Sequence, residues 1–126
     1  MKVLVAGGAG FIGSYLVERL VSRGNSVTVV DDLSSGQMSN LASTAQKITF
    51  VNSDISLFST QDQFDTIINL ASRASRVEWE TYPVEVALTN SIGNNNLIKL
   101  ALKMHARHIF ASTSEVYGNP EVVPTP

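Results

Sequence analysis

The run Gly8-Ala9-Gly10-Phe11-Ile12-Gly13 follows directly on the apolar segment Val3-Leu4-Val5-Ala6, and no other feature constrains this chain as strongly. A strand that ends in a glycine-rich turn and opens into a helix needs positive φ at the turn. It also lets a ligand approach the backbone where a β-carbon would collide. The first N–H groups of such a helix are unpaired and sit at the positive end of its dipole, an arrangement that favours phosphate. Two registers fit: Gly8, Gly10 and Gly13 give G-x-G-x-x-G, while Gly7, Gly10 and Gly13 give the wider G-x-x-G-x-x-G.

The surroundings decide what the glycines mean. Phe11, Ile12, Leu16, Leu20 and Val21 recur at helical spacing, and Gly24-Asn25 supplies a C-terminal stop. A second apolar strand, Val27-Thr28-Val29-Val30, runs into Asp31 and Asp32, 18 and 19 residues beyond Gly13. A carboxylate about 20 residues downstream of such a turn accepts hydrogen bonds from the ribose hydroxyls of a bound dinucleotide. The plainer alternative is a tight strand–helix turn followed by an N-capping aspartate. The combination points to a dinucleotide site.

With 126 residues there is room for one domain, able to bury roughly two-thirds of its unfolded surface. A net charge of −2 gives no electrostatic reason to expect nucleic acid or an anionic membrane as partner. The absence of cysteine removes disulfide and thiolate chemistry. The chain opens on a strand and carries no apolar run long enough to span a bilayer, so the expectation is a cytoplasmic protein without a signal peptide.

Strand and helix patterns alternate along the sequence. Strands are predicted at 2–6, 27–31, 48–51, 65–70 and 107–111, and helices at 11–23 and 84–104, with a short helical turn near Met38–Ala42. This alternation implies a Rossmann-like α/β fold: a parallel sheet of order 3-2-1-4-5, helices on both faces, and ligand at the carboxyl ends of strands 1 and 4. After the fifth strand comes the proline-punctuated run from Gly118 to Pro126. The expectation is a single domain over 1–126, the amino-terminal part of a longer enzyme, truncated after strand five and without a substrate domain.

Six segments stand out: Gly7–Gly13, Val30-Asp31-Asp32-Leu33-Ser34-Ser35-Gly36, Asp54-Ile55, Leu70-Ala71-Ser72, Thr89-Asn90 with Gly93, and Ser112–Gly118. Together they resemble one family, the extended short-chain dehydrogenase/reductases that act on nucleotide sugars, especially the UDP-glucuronate decarboxylases. The resemblance covers essentially the whole chain. It implies that Gly7, Gly10 and Gly13 line a pyrophosphate, that Phe11 and Ile12 offer N–H groups to it, and that Asp31 binds the adenosine ribose with Asp32 beside it. The loop from Asp32 to Leu41 holds no Arg or Lys to receive a 2′-phosphate, so NAD is expected rather than NADP. Asp54 and Ile55 would meet the adenine edge, although Asp54 also suits a cap after a strand. Leu70, Ala71 and Ser72 would lie under the cofactor. Asn90 would fix backbone or water near the site, or serve as an ordinary polar helix residue.

Arg73 and Arg76 stand where the family pattern varies. The Arg fork suits the diphosphate or carboxylate of a substrate, yet the sequence favours side chains solvated at a helix entrance. By the same resemblance Thr113 holds the sugar hydroxyl or ketone being oxidised or reduced, since a hydroxyl both donates and accepts. Ser114 completes the motif, and Glu115 would act as acid or base beside the sugar ring. The family's base is a Tyr with a Lys four residues on. None of the three tyrosines has one: Tyr15 is followed by Arg19, Tyr82 by Val86 and Tyr117 by Glu121. Family spacing places that pair beyond Pro126.

The resemblance therefore implies the NAD-binding part of a UDP-glucuronate decarboxylase, with a UDP-sugar substrate, a 4-keto intermediate, and pairing of two copies through the long helix. A UDP-sugar 4-epimerase or dehydratase is the alternative within the family. A non-catalytic NAD-binding regulatory module is the alternative outside it, though such a module has no use for Thr113-Ser114-Glu115. His105 and His108 lack a second ligand at metal spacing, so no metal is expected. Trp79 and Tyr82 before Pro83 suggest an apolar plug or a piece of substrate-facing wall.

Overall fold

Alternation along one strand separates the two cores of the molecule. In β1 (Lys2–Ala6), Val3 and Val5 face one side of the sheet and Leu4 and Ala6 the other. The Val3–Val5 side packs with Val17 of helix α1 (Phe11–Ser22), and with Val27 and Val29 of β2 (Ser26–Asp31). The Leu4–Ala6 side packs with Leu97 and Ala101 of a helix from the second half of the chain. Strands β3 (Ile48–Asn52), β4 (Thr66–Asn69) and β5 (Arg107–Phe110) complete a sheet of order β3-β2-β1-β4-β5. Every pairing is parallel, and helices cover both faces. This is the Rossmann-like α/β arrangement, observed in a computed structural model that describes residues 1–119 and 121–122. Within the proline-punctuated run at 118–126, Pro120 and residues 123–126 lie outside the described residues.

The register sets the carboxyl ends of the strands level with one another. Ala6 lies opposite Val30 and Asn69, Asp31 opposite Asn52, and Asn69 opposite Phe110. The loops leaving β1 through β5 therefore emerge along one edge, and the order reverses between β1 and β4. A short 3-10 turn at Met38–Leu41 tucks the fully buried Leu41 under α1. Phe11 and Ile12, which fit the apolar stripe of α1 by spacing, stand 78% and 70% exposed at its N-terminus. The buried stripe begins at Val17, with Leu16, Leu20 and Val21 beside it.

The second half departs from a single helix over 84–104. A capping pair starts α2 (Arg76–Thr81): Ser75 Oγ accepts from the Glu78 amide and donates to the Glu78 carboxylate. Tyr82 breaks that helix, and Pro83 occupies the first turn of α3 (Pro83–Leu88), where its missing N–H costs nothing. A π turn at Thr89–Gly93 then joins α3 to α4 (Asn94–Met104) with helical dihedrals at both junctions. Within that turn Gly93 lies against Ile55, where a β-carbon would come within 2.6 Å of Ile55 Cγ1. α4 ends at His105, held in the left-handed conformation at φ 54°. Trp79 is 56% exposed, so it plugs nothing.

β5 is an edge strand, and its His108 buries Nε2 without a hydrogen-bond partner among the described residues. Burial holds the imidazole pKa below its ordinary value of 6.5. The unfolded chain therefore binds this proton more readily than the folded one. The folded state loses stability as pH falls from about 6.5 through the lowered folded value. Thermal melts from pH 7.5 to 5 are expected to show a smaller drop for His108→Gln than for the wild type; equal slopes would remove His108 as the cause.

Candidate functional site

An open cleft lies at the carboxyl edge of the sheet, above the β1–β4 reversal. Gly7 and Gly10 come to it from the turn after β1, Asp31, Asp32 and Ser34–Gly36 from the end of β2, and Ser53–Ile55 from the end of β3. Leu70–Arg73 enter from β4 and Thr89 from the π turn. Ten residues assigned to a ligand from sequence, Arg73 among them, thus share one surface: Gly7, Gly10, Asp31, Asp32, Asp54, Ile55, Leu70, Ala71, Ser72 and Arg73.

The glycines divide by task. Gly7 has φ +75°, and a β-carbon on it would lie 2.7 Å from the Leu70–Ala71 backbone. A β-carbon on Gly13 would lie 2.1 Å from the Gly7 carbonyl oxygen, so Gly13 is what lets α1 close on the turn. Gly8 faces Val29 and Val17 in the core. Gly10 is less crowded: a β-carbon there would meet only the Gly7 oxygen, at 3.3 Å, a tight contact that a small shift of the turn relieves. The structure therefore selects the Gly7-Gly10-Gly13 register. α1 begins with no side-chain cap and no acidic residue in its first turn. The amides of Phe11, Ile12 and Gly13 donate to no acceptor among the described residues, which leaves donors and the positive dipole end next to Gly10, although Phe11, Ile12 and Gly13 do not themselves line the cleft.

The acidic residues at the cleft are held by backbone. Asp31, 7% exposed, accepts the Ala9 amide on Oδ2 and the Leu33 amide on Oδ1, both at 2.9 Å. Leu33 is thereby fixed at φ 59°, a conformation that costs an ordinary side chain of order 1 kcal/mol. Asp32 Oδ1 accepts from the Ser34 amide and hydroxyl. Asp54 Oδ1 accepts from the Ser56 amide at 2.7 Å, so it caps a turn and lines the cleft at once. Each carboxylate keeps acceptor capacity for a hydroxyl or base edge.

Three asparagines that sequence reasoning passed over brace this arrangement. Asn69 is 1% exposed; its Oδ1 accepts from the Ala71 amide at 3.0 Å and its Nδ2 donates to Asn94 Oδ1 at 2.9 Å. α4 is thus tied to the loop that floors the cleft. Asn96 donates to the Ile55 and Phe58 carbonyls and fixes the loop after β3. The signals were an asparagine ending an apolar strand and the Asn94-Asn95-Asn96 run inside a helix.

Other expected residues fall elsewhere. Asn90 shares the π turn with Thr89, yet Thr89 is the one that lines the cleft. Arg76 pairs with Glu80 at 3.1 Å on the surface, while Arg73 reaches the cleft. Thr113, Ser114 and Glu115 are exposed and outside the cleft wall: Thr113 precedes a 3-10 turn at Ser114–Tyr117. They leave β5 alongside the Leu70–Ser72 loop, since Ala111 donates to the Asn69 carbonyl at 3.0 Å. Among the described residues no three His, Cys, Asp or Glu gather to hold a metal ion, and no helix is long and apolar enough to cross a membrane.

A parallel sheet reversing at a glycine turn, with a carboxylate ending β2 and another in the loop after β3, defines a dinucleotide-binding class of protein. Within that class the assignment is direct: over residues 3–126 the chain belongs to the NAD dependent epimerase/dehydratase family. It is 39% identical to UDP-glucuronic acid decarboxylase 1 of Danio rerio over 98% of this chain and 30% of that protein. It superposes on the UDP-glucose 4-epimerase of Thermotoga maritima with a TM-score of 0.88 and 38% identity, over 100% of this chain and 43% of the other. The dTDP-glucose 4,6-dehydratase of Streptomyces venezuelae, crystallised with NAD, gives a TM-score of 0.87 and 29% identity, over 100% of this chain and 45% of the other. The chain spans less than half the length of each of these relatives.

Gly10→Ala and Gly13→Ala separate ligand space from fold. Urea denaturation is expected to show a loss of about 1 kcal/mol or less for Gly10→Ala and about 2–4 kcal/mol for Gly13→Ala. A reversed order would contradict the division of roles. Asn94→Leu, which strands the buried Asn69 amide, should cost about 1–3 kcal/mol in the same measurement.

Proposed function

We propose that the cleft binds NAD, and that the chain, taken as one domain over 1–126, is the NAD-binding part of a nucleotide-sugar enzyme, a UDP-glucuronate decarboxylase. The observation that carries this reading is Gly10, the least crowded glycine of the turn and one that lines the cleft, beside three unpaired amides at the start of α1. A β-carbon there would fill the space through which a pyrophosphate reaches the helix N-terminus. Family membership, the decarboxylase relative and the NAD-bearing structural neighbour support the same cofactor and substrate class.

Bound NAD would supply the acceptor for a hydride from sugar C4. The residues of this chain do the holding. Phe11 and Ile12 amides, with the α1 dipole, take the pyrophosphate, and Gly7, Gly10 and Gly13 admit it. Asp31 and Asp32 receive the adenosine ribose hydroxyls and disfavour a 2′-phosphate. Asp54 and Ile55 meet the adenine edge, and Leu70, Ala71 and Ser72 lie beneath the cofactor. Thr113 hydrogen-bonds the C4 oxygen as it passes from hydroxyl to ketone, with Ser114 beside it. With a 4-keto group in place, a C6 carboxylate becomes a β-keto acid that loses CO2, and Glu115 serves as acid or base at the ring. Asn90 would steady backbone or water nearby. Proton removal from the C4 hydroxyl falls to a Tyr-x-x-x-Lys pair outside these 126 residues. The same opening step supports 4-epimerisation when C6 carries a hydroxymethyl group, the reading favoured by the epimerase neighbour. A cytoplasmic homodimer, paired through the α3, π-turn and α4 segment over 84–104, completes the reading.

Calorimetry tests the cofactor directly. NAD is expected to bind and NADP to bind at least tenfold more weakly. Preference for NADP, or no binding of either, would overturn it. A protein containing this chain and a downstream Tyr-x-x-x-Lys should release CO2 from UDP-glucuronate; epimerised UDP-sugar without CO2 would move the assignment to the alternative.

A further inference from the structure

Arg73 is the only cationic residue that lines the cleft among the described residues, a cleft that Asp31, Asp32 and Asp54 also line. It makes no hydrogen bond or ion pair to any of them among the described residues, unlike Arg76, which is spent on Glu80. Its guanidinium instead lies over the Tyr82 ring, 5.2 Å from the centroid, close enough for a cation–π contact. Tyr82 is the residue between α2 and α3, at φ −129° and ψ 52°, fixed by the break that Pro83 imposes. The Leu70–Ala71 backbone from which Arg73 extends touches Gly7, the first residue of the glycine turn. An anion seated at the start of α1 thus has helix amides on one side and the Arg73 loop on the other.

We propose that Arg73 is the anion-binding side chain of this cleft, taking a nucleotide diphosphate, and that Tyr82 is the positioning residue that holds its guanidinium there. Charge supports the assignment. A wall of three carboxylates repels a diphosphate, and the partial charge of one helix end does not balance them. A planar fork already stacked on a ring loses less freedom on binding phosphate than a free side chain. The diphosphate is that of NAD, on the reading above, or of the nucleotide sugar; the chemistry is shared, and the ligands can be tested separately.

The experiment is titration calorimetry with adenosine, ADP, NAD and UDP-glucuronate on wild type, Arg73→Gln, Tyr82→Phe and Tyr82→Leu. Arg73→Gln should weaken ADP and NAD about tenfold and leave adenosine within twofold. Tyr82→Phe should match wild type, because the ring remains, whereas Tyr82→Leu should lose about threefold on the diphosphates alone. Loss on UDP-glucuronate with ADP and NAD unchanged keeps the anion role and moves it to the sugar nucleotide. ADP binding that depends on Arg73, in a wild type that ignores NAD, sinks the NAD reading and leaves Arg73 standing. No dependence on Arg73 for any of the three diphosphates overturns the proposal.

Discussion

The contact between Gly13 and the carbonyl of Gly7 is the constraint on which the rest of the structure depends. With a β-carbon 2.1 Å from that oxygen, α1 could not close on the turn. Its Val17 would then leave the core formed with Val3, Val5 and Val29. The same contact aims the first amides of α1 across the carboxyl edge of the sheet. Packing and ligand geometry are thus two consequences of one missing methyl group, and Gly7 extends the effect to β4 through its approach to Leu70 and Ala71.

From that point the cleft is built by backbone hydrogen bonds to side chains, more than by packing. Asp31 gathers the Ala9 and Leu33 amides, Asp54 the Ser56 amide, and Asn69 the Ala71 amide. Each bond fixes the loop that leaves one strand. Asn94 and Asn96 then reach down from α4 to hold the loops after β4 and β3. Lost bonds here expose buried donors and acceptors, a larger penalty than the bonds' own net worth. The shape of the cleft is therefore fixed before any ligand arrives.

The sheet was legible in the sequence because its signals are local. Apolar runs, ended in β1 to β4 by Gly, Asp or Asn, placed all five strands to within a residue at each end, and the alternation of strand and helix implied the order 3-2-1-4-5. The region from Ser75 to Met104 was less legible, because apolar spacing there fits one long helix. What divides it are a Ser-x-x-Glu cap, a proline and the pressure of Ile55 on Gly93, the last a contact across 38 residues of sequence. Asn69 and Asn94 were missed for a similar reason. Each stands inside an element that the spacing predicts, and its bracing role shows only once its partner on the other element is known. Spacing also treated Arg73 and Arg76 alike, whereas three-dimensional structure gives one to Glu80 and the other to the cleft.

The two halves of the site differ in how firmly they are held, and the difference follows from the sheet. The cofactor-facing residues stand on loops between strands that are paired on both sides or braced by α4. Thr113, Ser114 and Glu115 leave β5, an edge strand whose Ile109 and Phe110 are 40% and 44% exposed. Beyond Ala111 their backbone bonds are confined to one 3-10 turn. On the proposed function, the Thr113 hydroxyl would need placement within a few tenths of an ångström. Among the described residues no hydrogen bond to another element braces Thr113–Glu115 in that way, whereas the loops that line the cleft are tied by the Asp31, Asp54 and Asn69 bonds. The loop after β5 is thus held less firmly than the loops that line the cleft.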